Sequence, residues 1–123
     1  MNNYYLAISS PFEDVNESNN LVYARRLDNL SYTRFLNGDS IGILEGFTKA
    51  FNIRKAKNDK PGKVISMFRL AQFHHKFNES IKAIKFSESA KRLALDIFDY
   101  RNALSVIHFL SKIDRQLLYS LSL

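Results

Sequence analysis

Residues 67 to 110 read MFRLAQFHHKFNESIKAIKFSESAKRLALDIFDYRNALSVIHFL, and this stretch decides the fold. It contains a first apolar helix, then two candidate helix starts, Asn78-Glu79 and Ser87-Glu88, and then the beginning of a further helix. Ser and Asn suit such starts because their side-chain oxygens accept from backbone N–H groups that lack an intrahelical partner. Acids suit them because the helix start is the positive end of its dipole. From Ser87 onward Ala90, Leu93, Ala94 and Ile97 fall on one narrow face, which leaves Lys91 and Arg92 on other faces. The stretch therefore predicts a compact helical module: a first apolar helix, a short basic helix opened by Asn78 and Glu79, a third opened by Ser87 and Glu88, and the start of a fourth.

At 123 residues the chain has the length of a single domain, so one helical domain over 1–123 is expected. With 46% hydrophobic and 13% aromatic residues it should be globular rather than disordered. The net charge of +6 biases it toward anionic partners: nucleic acid, an acidic protein or a membrane surface. Cysteine is absent, which excludes disulfides and thiolate metal sites and removes any need for an oxidising compartment. No stretch has the length and apolarity of a signal peptide or a membrane span, so a soluble cytoplasmic protein is expected.

Ahead of the central stretch, Tyr4 to Ile8 predicts a short strand or extended arm, and the acidic run up to Asn20 a solvated loop; residues 1–18 together form an N-terminal arm and loop. A helix is expected from about Asn20 to Leu36, closed by Gly38. Asp39 is read as the cap of a second helix that carries Ile43, Phe47, Ala50 and Phe51 inward. Gly42 and Gly46 within it are read as tolerated, although their spacing would also let another helix approach closely. Arg54, Lys55, Lys57, Lys60 and Lys63 then form the densest positive run, broken by Pro61 and Gly62, and are placed on an exposed connection. The helix from Val64 to Phe73 is apolar around much of its circumference, as a central or intersubunit helix would be. A last helix from about Arg101 to Leu121 repeats Ala103, Val106, Leu110, Ile113 and Leu117 at intervals of three and four, the spacing of helix pairing. No internal repeat of solenoid length is visible. The fold expected is an all-α bundle of about five to six helices, with a helix-turn-helix-like pair near 79–110.

No enzyme signature is present: the chain has no phosphate-cradling glycine loop, no nucleophile elbow and no H-E-x-x-H pair. His74 and His75 diverge by about 100° on a helix and cannot share a metal as an i, i+4 pair does. His108 is read as a satisfied interior or interface group, and Asp96 and Asp99 as surface charges. Neither a catalytic role nor a cofactor or metal is expected. In the helix-turn-helix reading, Ala90, Leu93, Ala94 and Leu95 make the first helix and turn, and Tyr100 and Ala103 face inward from the second. Arg101, Asn102 and Ser105 would then face bases, and Lys82, Lys85, Lys91 and Arg92 phosphates, with Lys55, Lys57 and Lys60 as further phosphate contacts. The competing reading is two ordinary packed helices with charged outer faces.

The residues Met67, Phe68, Arg69 and Leu70, then Asn78 and Glu79, then IKAIKFSESAKRLA from Ile81 to Ala94, resemble the FlhD family, the small helical subunits of the flagellar master activator, and its relatives on conjugative elements. Asn29 to Tyr32 is similar to an element of that family's first helix, although its distance from Met67 is longer here and the family's intersubunit cysteine is missing. The resemblance covers less than half of the chain. It implies a homodimeric transcriptional activator subunit that joins an FlhC-like, zinc-bearing partner on promoter DNA. The dimer or partner interface is then expected at Met67, Phe68, Leu70, Ala71, Val106, Leu110 and Ile113. The alternative is a small helical protein-interaction module, a phage or plasmid adaptor or inhibitor without a role on DNA.

Overall fold

The computed structural model describes residues 20–122. The chain is all-α: α1 spans Leu21–Leu36, α2 Ile43–Ala56, α3 Lys60–Lys76, α4 Ser80–Asp96 and α5 Tyr100–Ser122, with no strand among the described residues. The expected arm at Tyr4 to Ile8 and most of the loop after it lie outside them. Contacts divide the chain between Asp59 and Lys60 into two compact units, the first holding α1 and α2, the second α3, α4 and α5.

In the first unit Asn20 caps α1, its side-chain oxygen accepting from the Tyr23 N–H at 2.9 Å. Tyr23, Ala24 and Leu30 of α1 pack with Ala50 and Ile53 of α2, and Phe35 meets Phe47 edge to face. Two expectations are corrected here. Asp39 does not cap α2; it holds the end of α1 by accepting from Arg34 Nε and Nη2 at 3.0 and 2.9 Å, and Gly42, in the left-handed region at φ 76°, stands at the start of α2. Arg54 is not part of an exposed basic run. It is buried, with Nη1 3.6 Å from the carboxylate of the equally buried Asp28.

In the second unit α4 is one continuous helix, not two. Ser87 does not open a helix but lies inside α4, buried, in the series Ala83, Ser87, Ala90, Ala94. Spaced four, three and four apart, these small residues make one face, against which neighbouring helices pack closely. Ala94 meets Val64 of α3 and Ala103 of α5, so α4 lies between them with the opposite chain direction. Phe68 and His75 of α3 both place their rings edge-on against Phe109 of α5.

All four interhelical turns are built alike, a regularity of backbone and turn residues rather than of the helices' sequences. After each helix one residue takes a positive φ: Gly38 at 88°, Asn58 at 54°, Asn78 at 62° and Phe98 at 62°. An acid follows at intervals of 20, at Asp39, Asp59, Glu79 and Asp99. Its N–H donates to the carbonyl five residues back, at 2.8 to 3.0 Å. This closing pattern satisfies carbonyls that the helix end leaves unpaired. The side chain of the acid then serves locally: Asp99 accepts from the Asn102 backbone and side chain at the start of α5, and Glu79 bonds His74.

The His74–Glu79 contact, 2.7 Å between Nδ1 and Oε1, ties α3 to the turn, with the His74 ring buried and stacked on Phe86. This hydrogen bond, opposed in part by desolvation, lowers the Glu79 pKa below its ordinary 4.5. A carboxylate depressed in the folded chain stabilises it above the unfolded pKa, and that contribution is lost as pH falls through the folded value. Thermal melting of the wild type should therefore fall with pH below about 4.5 more steeply than that of Glu79→Gln. Identical slopes would show that the contact contributes nothing.

Candidate interaction surface

The residues expected to form a dimer or partner interface are mostly used inside the chain. Met67, Leu70, Ala71, Val106, Leu110 and Ile113 are buried, and only Phe68 is half-exposed, its ring against Phe109. The stripe of α5 read as a pairing seam is thus a seam with the chain's own helices, because a helix this apolar satisfies its nearest neighbours first. Of these side chains Phe68 alone offers appreciable surface to a second subunit.

The cations expected at nucleic acid are dispersed in role. Lys82, Lys85 and Arg92 are exposed along one face of α4, with Asp96 a turn beyond Arg92. Lys82 lies 3.6 Å from Glu79, and Lys91, half-buried, 3.0 Å from Glu88. Asn102, expected to face bases, donates its amide to Asp99 at 2.7 Å and helps to start α5. Arg101 is exposed at the first turn of α5. Lys55 and Lys57 are exposed at the end of α2 in the first unit, whereas Lys60 opens α3 in the second.

The geometry of a helix-turn-helix reader is not reproduced in its inward residues. Tyr100 and Leu95 are exposed rather than packed, while Ala90, Ala94 and Ala103 are buried. Of the histidines, His74 is packed, His75 is half-buried and His108 is exposed, so His108 is not the interior group that its apolar neighbours suggest. Among the described residues no group of three or more His, Asp or Glu is placed to hold a metal, and no helix is long and apolar enough to cross a membrane.

What the sequence reading did not single out is an apolar surface on α5 and the turn before it. Phe98 is 74% exposed, and it holds a left-handed φ of 62° where the other three turns use Gly or Asn. A side chain with a Cβ is strained in that region, so the position is unfavourable on two counts, conformation and solvation. Its ring lies edge-on to Tyr100 at 6.3 Å. Tyr100, Leu104 and Ile107 are exposed on one face of α5, Leu118 and Leu121 continue that face along its far end, and Leu95 is exposed at the end of α4. From Asp114 to Ser122 every residue of α5 is exposed, with Leu117 the most covered of its apolar residues at 37%. The signal was present in the sequence as a second three-and-four series beside the buried one. Compared with known proteins, the chain matches no family profile, no curated protein and no solved structure.

Proposed function

We propose that this chain is a helical protein-interaction module in which α3 and α4 form the scaffold and α5 with its preceding turn presents the docking face. The observation that carries this reading is Phe98: a large apolar ring kept in solvent at a backbone position where Gly or Asn would be more stable. Apolar side chains that are contiguous and exposed in this way mark interaction sites. The partner that fits an apolar stripe along a helix is another amphipathic helix.

Phe98→Gly relieves the strain and should raise the unfolding free energy by up to about 1 kcal/mol. The same substitution, and Tyr100→Ser, should reduce recovery of a stoichiometric protein partner when the immobilised full chain is passed over native extract. Equal recovery by wild type and both variants would remove the patch from the binding surface.

A second reading, a DNA-associated regulator subunit acting as a dimer with an FlhC-like partner, is favoured by the line Lys82, Lys85 and Arg92 on α4. It requires promoter binding whose affinity falls steeply with salt, since each neutralised phosphate releases counterions. Retention of duplex DNA that is weak and indifferent to the substitution of Lys85 and Arg92 by Ala would exclude it.

A further inference from the structure

We infer that α5 is the leading helix of a third hairpin, and that its open face receives in trans an antiparallel amphipathic helix that carries a Lys or Arg at its start. The inference rests on the reading of α5 as a docking face and adds what docks there, in which direction and in which register.

The turns recur every 20 residues, so each helix pair recurs every 40, and burial follows the same interval although the helices differ in sequence. The buried residues of α4, Ala83, Ser87, Ala90 and Ala94, stand 40 beyond Ile43, Phe47, Ala50 and Arg54, all buried in α2. Among the leading helices, Leu30, Leu70 and Leu110 are buried at one equivalent position. The face beside that position is where α5 departs. In α1 it holds Ala24, Leu27 and Ser31, and α2 covers it: Ala24 shares a core with Ala50 and Ile53, and Gly46 lies against Leu27 and Ser31. In α3 the equivalent Val64, Met67 and Ala71 are buried, and α4 closes both ends of the face, Ala94 against Val64 and Phe86 stacked on His74. In α5 the equivalents are Leu104, 66% exposed, Ile107, also exposed, and Ser111, half-buried. The covering helix is the part without a counterpart.

The chain does not supply that helix at the place its period sets. The next turn would fall at Leu118 and Tyr119, but α5 stays helical through both to Ser122, so a covering helix in this register comes from another molecule. Charge complementarity defines its start. Five residues before the acid of the turn, α1 and α3 carry Arg34 and His74, which pair with Asp39 and Glu79 ahead of the covering helix. In α5 that position is Asp114, exposed and without an ion pair among the described residues. The sign is reversed, so the complementary partner brings a Lys or Arg to the place of Asp39 and Glu79. Asp114 also faces the positive end of a helix laid antiparallel, whereas a parallel one would bring its negative end there. Ala50 and Ala90, equivalent and fully buried, call for a small residue at the centre of the partner's inner face.

The probe is a fluorescent peptide of residues 79–96, the chain's own covering helix, with Glu79→Lys. It should bind the full chain saturably. Ile107→Asp, at an exposed position, should weaken binding about tenfold or more with unchanged helical circular dichroism. Asp114→Lys should weaken this peptide about two- to five-fold and favour the peptide with the natural Glu79 by a similar factor. The chain contains no cysteine, so introduced thiols report geometry without background. Because Val64 meets Ala94, Leu104→Cys should cross-link on mild oxidation to a peptide with Ala94→Cys and not to one with Ala83→Cys. Absence of saturable binding, binding indifferent to Ile107→Asp, no exchange of preference at Asp114, or linkage through Ala83→Cys overturns the inference. If the peptide fails while Phe98→Gly still loses a captured protein, register and charge fail and the docking face stands. If neither effect is seen, both fail.

Discussion

Arg54→Ala should lower the unfolding free energy by about 3–5 kcal/mol, the range for a buried ion pair that loses one member. Asp28 in α1 is 1% exposed and Arg54 in α2 5%. With the guanidinium removed, the carboxylate remains in a site that water does not reach, beside the core of Tyr23, Ala24, Leu30, Ala50 and Ile53. The cost is that of the stranded charge more than of the lost attraction, and the paired replacement separates the two. Asp28→Leu with Arg54→Met removes both charges at similar volume and should return most of the lost stability, or exceed wild type. Chemical denaturation with a common slope checks both results. If the double variant is as unstable as Arg54→Ala, the pair is a net stabiliser and not a structural constraint tolerated by the core.

Gly46→Ala should destabilise the first unit, although alanine favours a helix interior over glycine by about 1 kcal/mol. A Cβ at Gly46 would overlap Ser31 Oγ and lie 3.1 Å from Ser31 Cβ, while Leu27 Cδ1 closes the far side at 4.0 Å. Overpacking of this kind costs about 1–3 kcal/mol, so the net loss should be up to about 2 kcal/mol. Ser31→Gly clears both close atoms, and the double variant should recover the loss caused by the added methyl. Additive single effects in that cycle would show that the residues do not meet. Gly42 and Gly46 thus differ in kind: the first supplies a left-handed backbone, the second a gap for a neighbouring side chain.

The helices themselves were legible because their apolar periods are long. The bounds expected for α1, α3 and α5 differ by only a few residues from those in the structure. Where the reading failed, residue type was weighed above position. Ser87-Glu88 carries the chemistry of a helix start, yet the small-residue series through Ala83 and Ala94 makes it helix interior. Arg54 was grouped with Lys55 and Lys57 because they are adjacent, but on a helix adjacent residues point about 100° apart, and only Arg54 turns inward. The surface on α5 is hidden in the sequence for a related reason: the series Ala103, Val106, Leu110 and Ile113 by itself accounts for a whole helix face. Two such series lie side by side, and only packing tells which is already used.

The spacing of the turns bears on how the second unit reaches its native state. Since α4 sits between helices that flank it in sequence, each pairing closes across one short turn, and the entropy lost in joining distant segments is small. Chains dominated by such local pairings have low contact order and fold on the microsecond to millisecond scale. The strained turn at Phe98 makes the bend into α5 the costlier of the two, so the hairpin of α3 and α4, turned by Asn78, is the expected nucleus with α5 docking afterwards. Conservative truncations in α5 should speed unfolding and leave the folding rate unchanged, and a slowed folding rate would reverse that order.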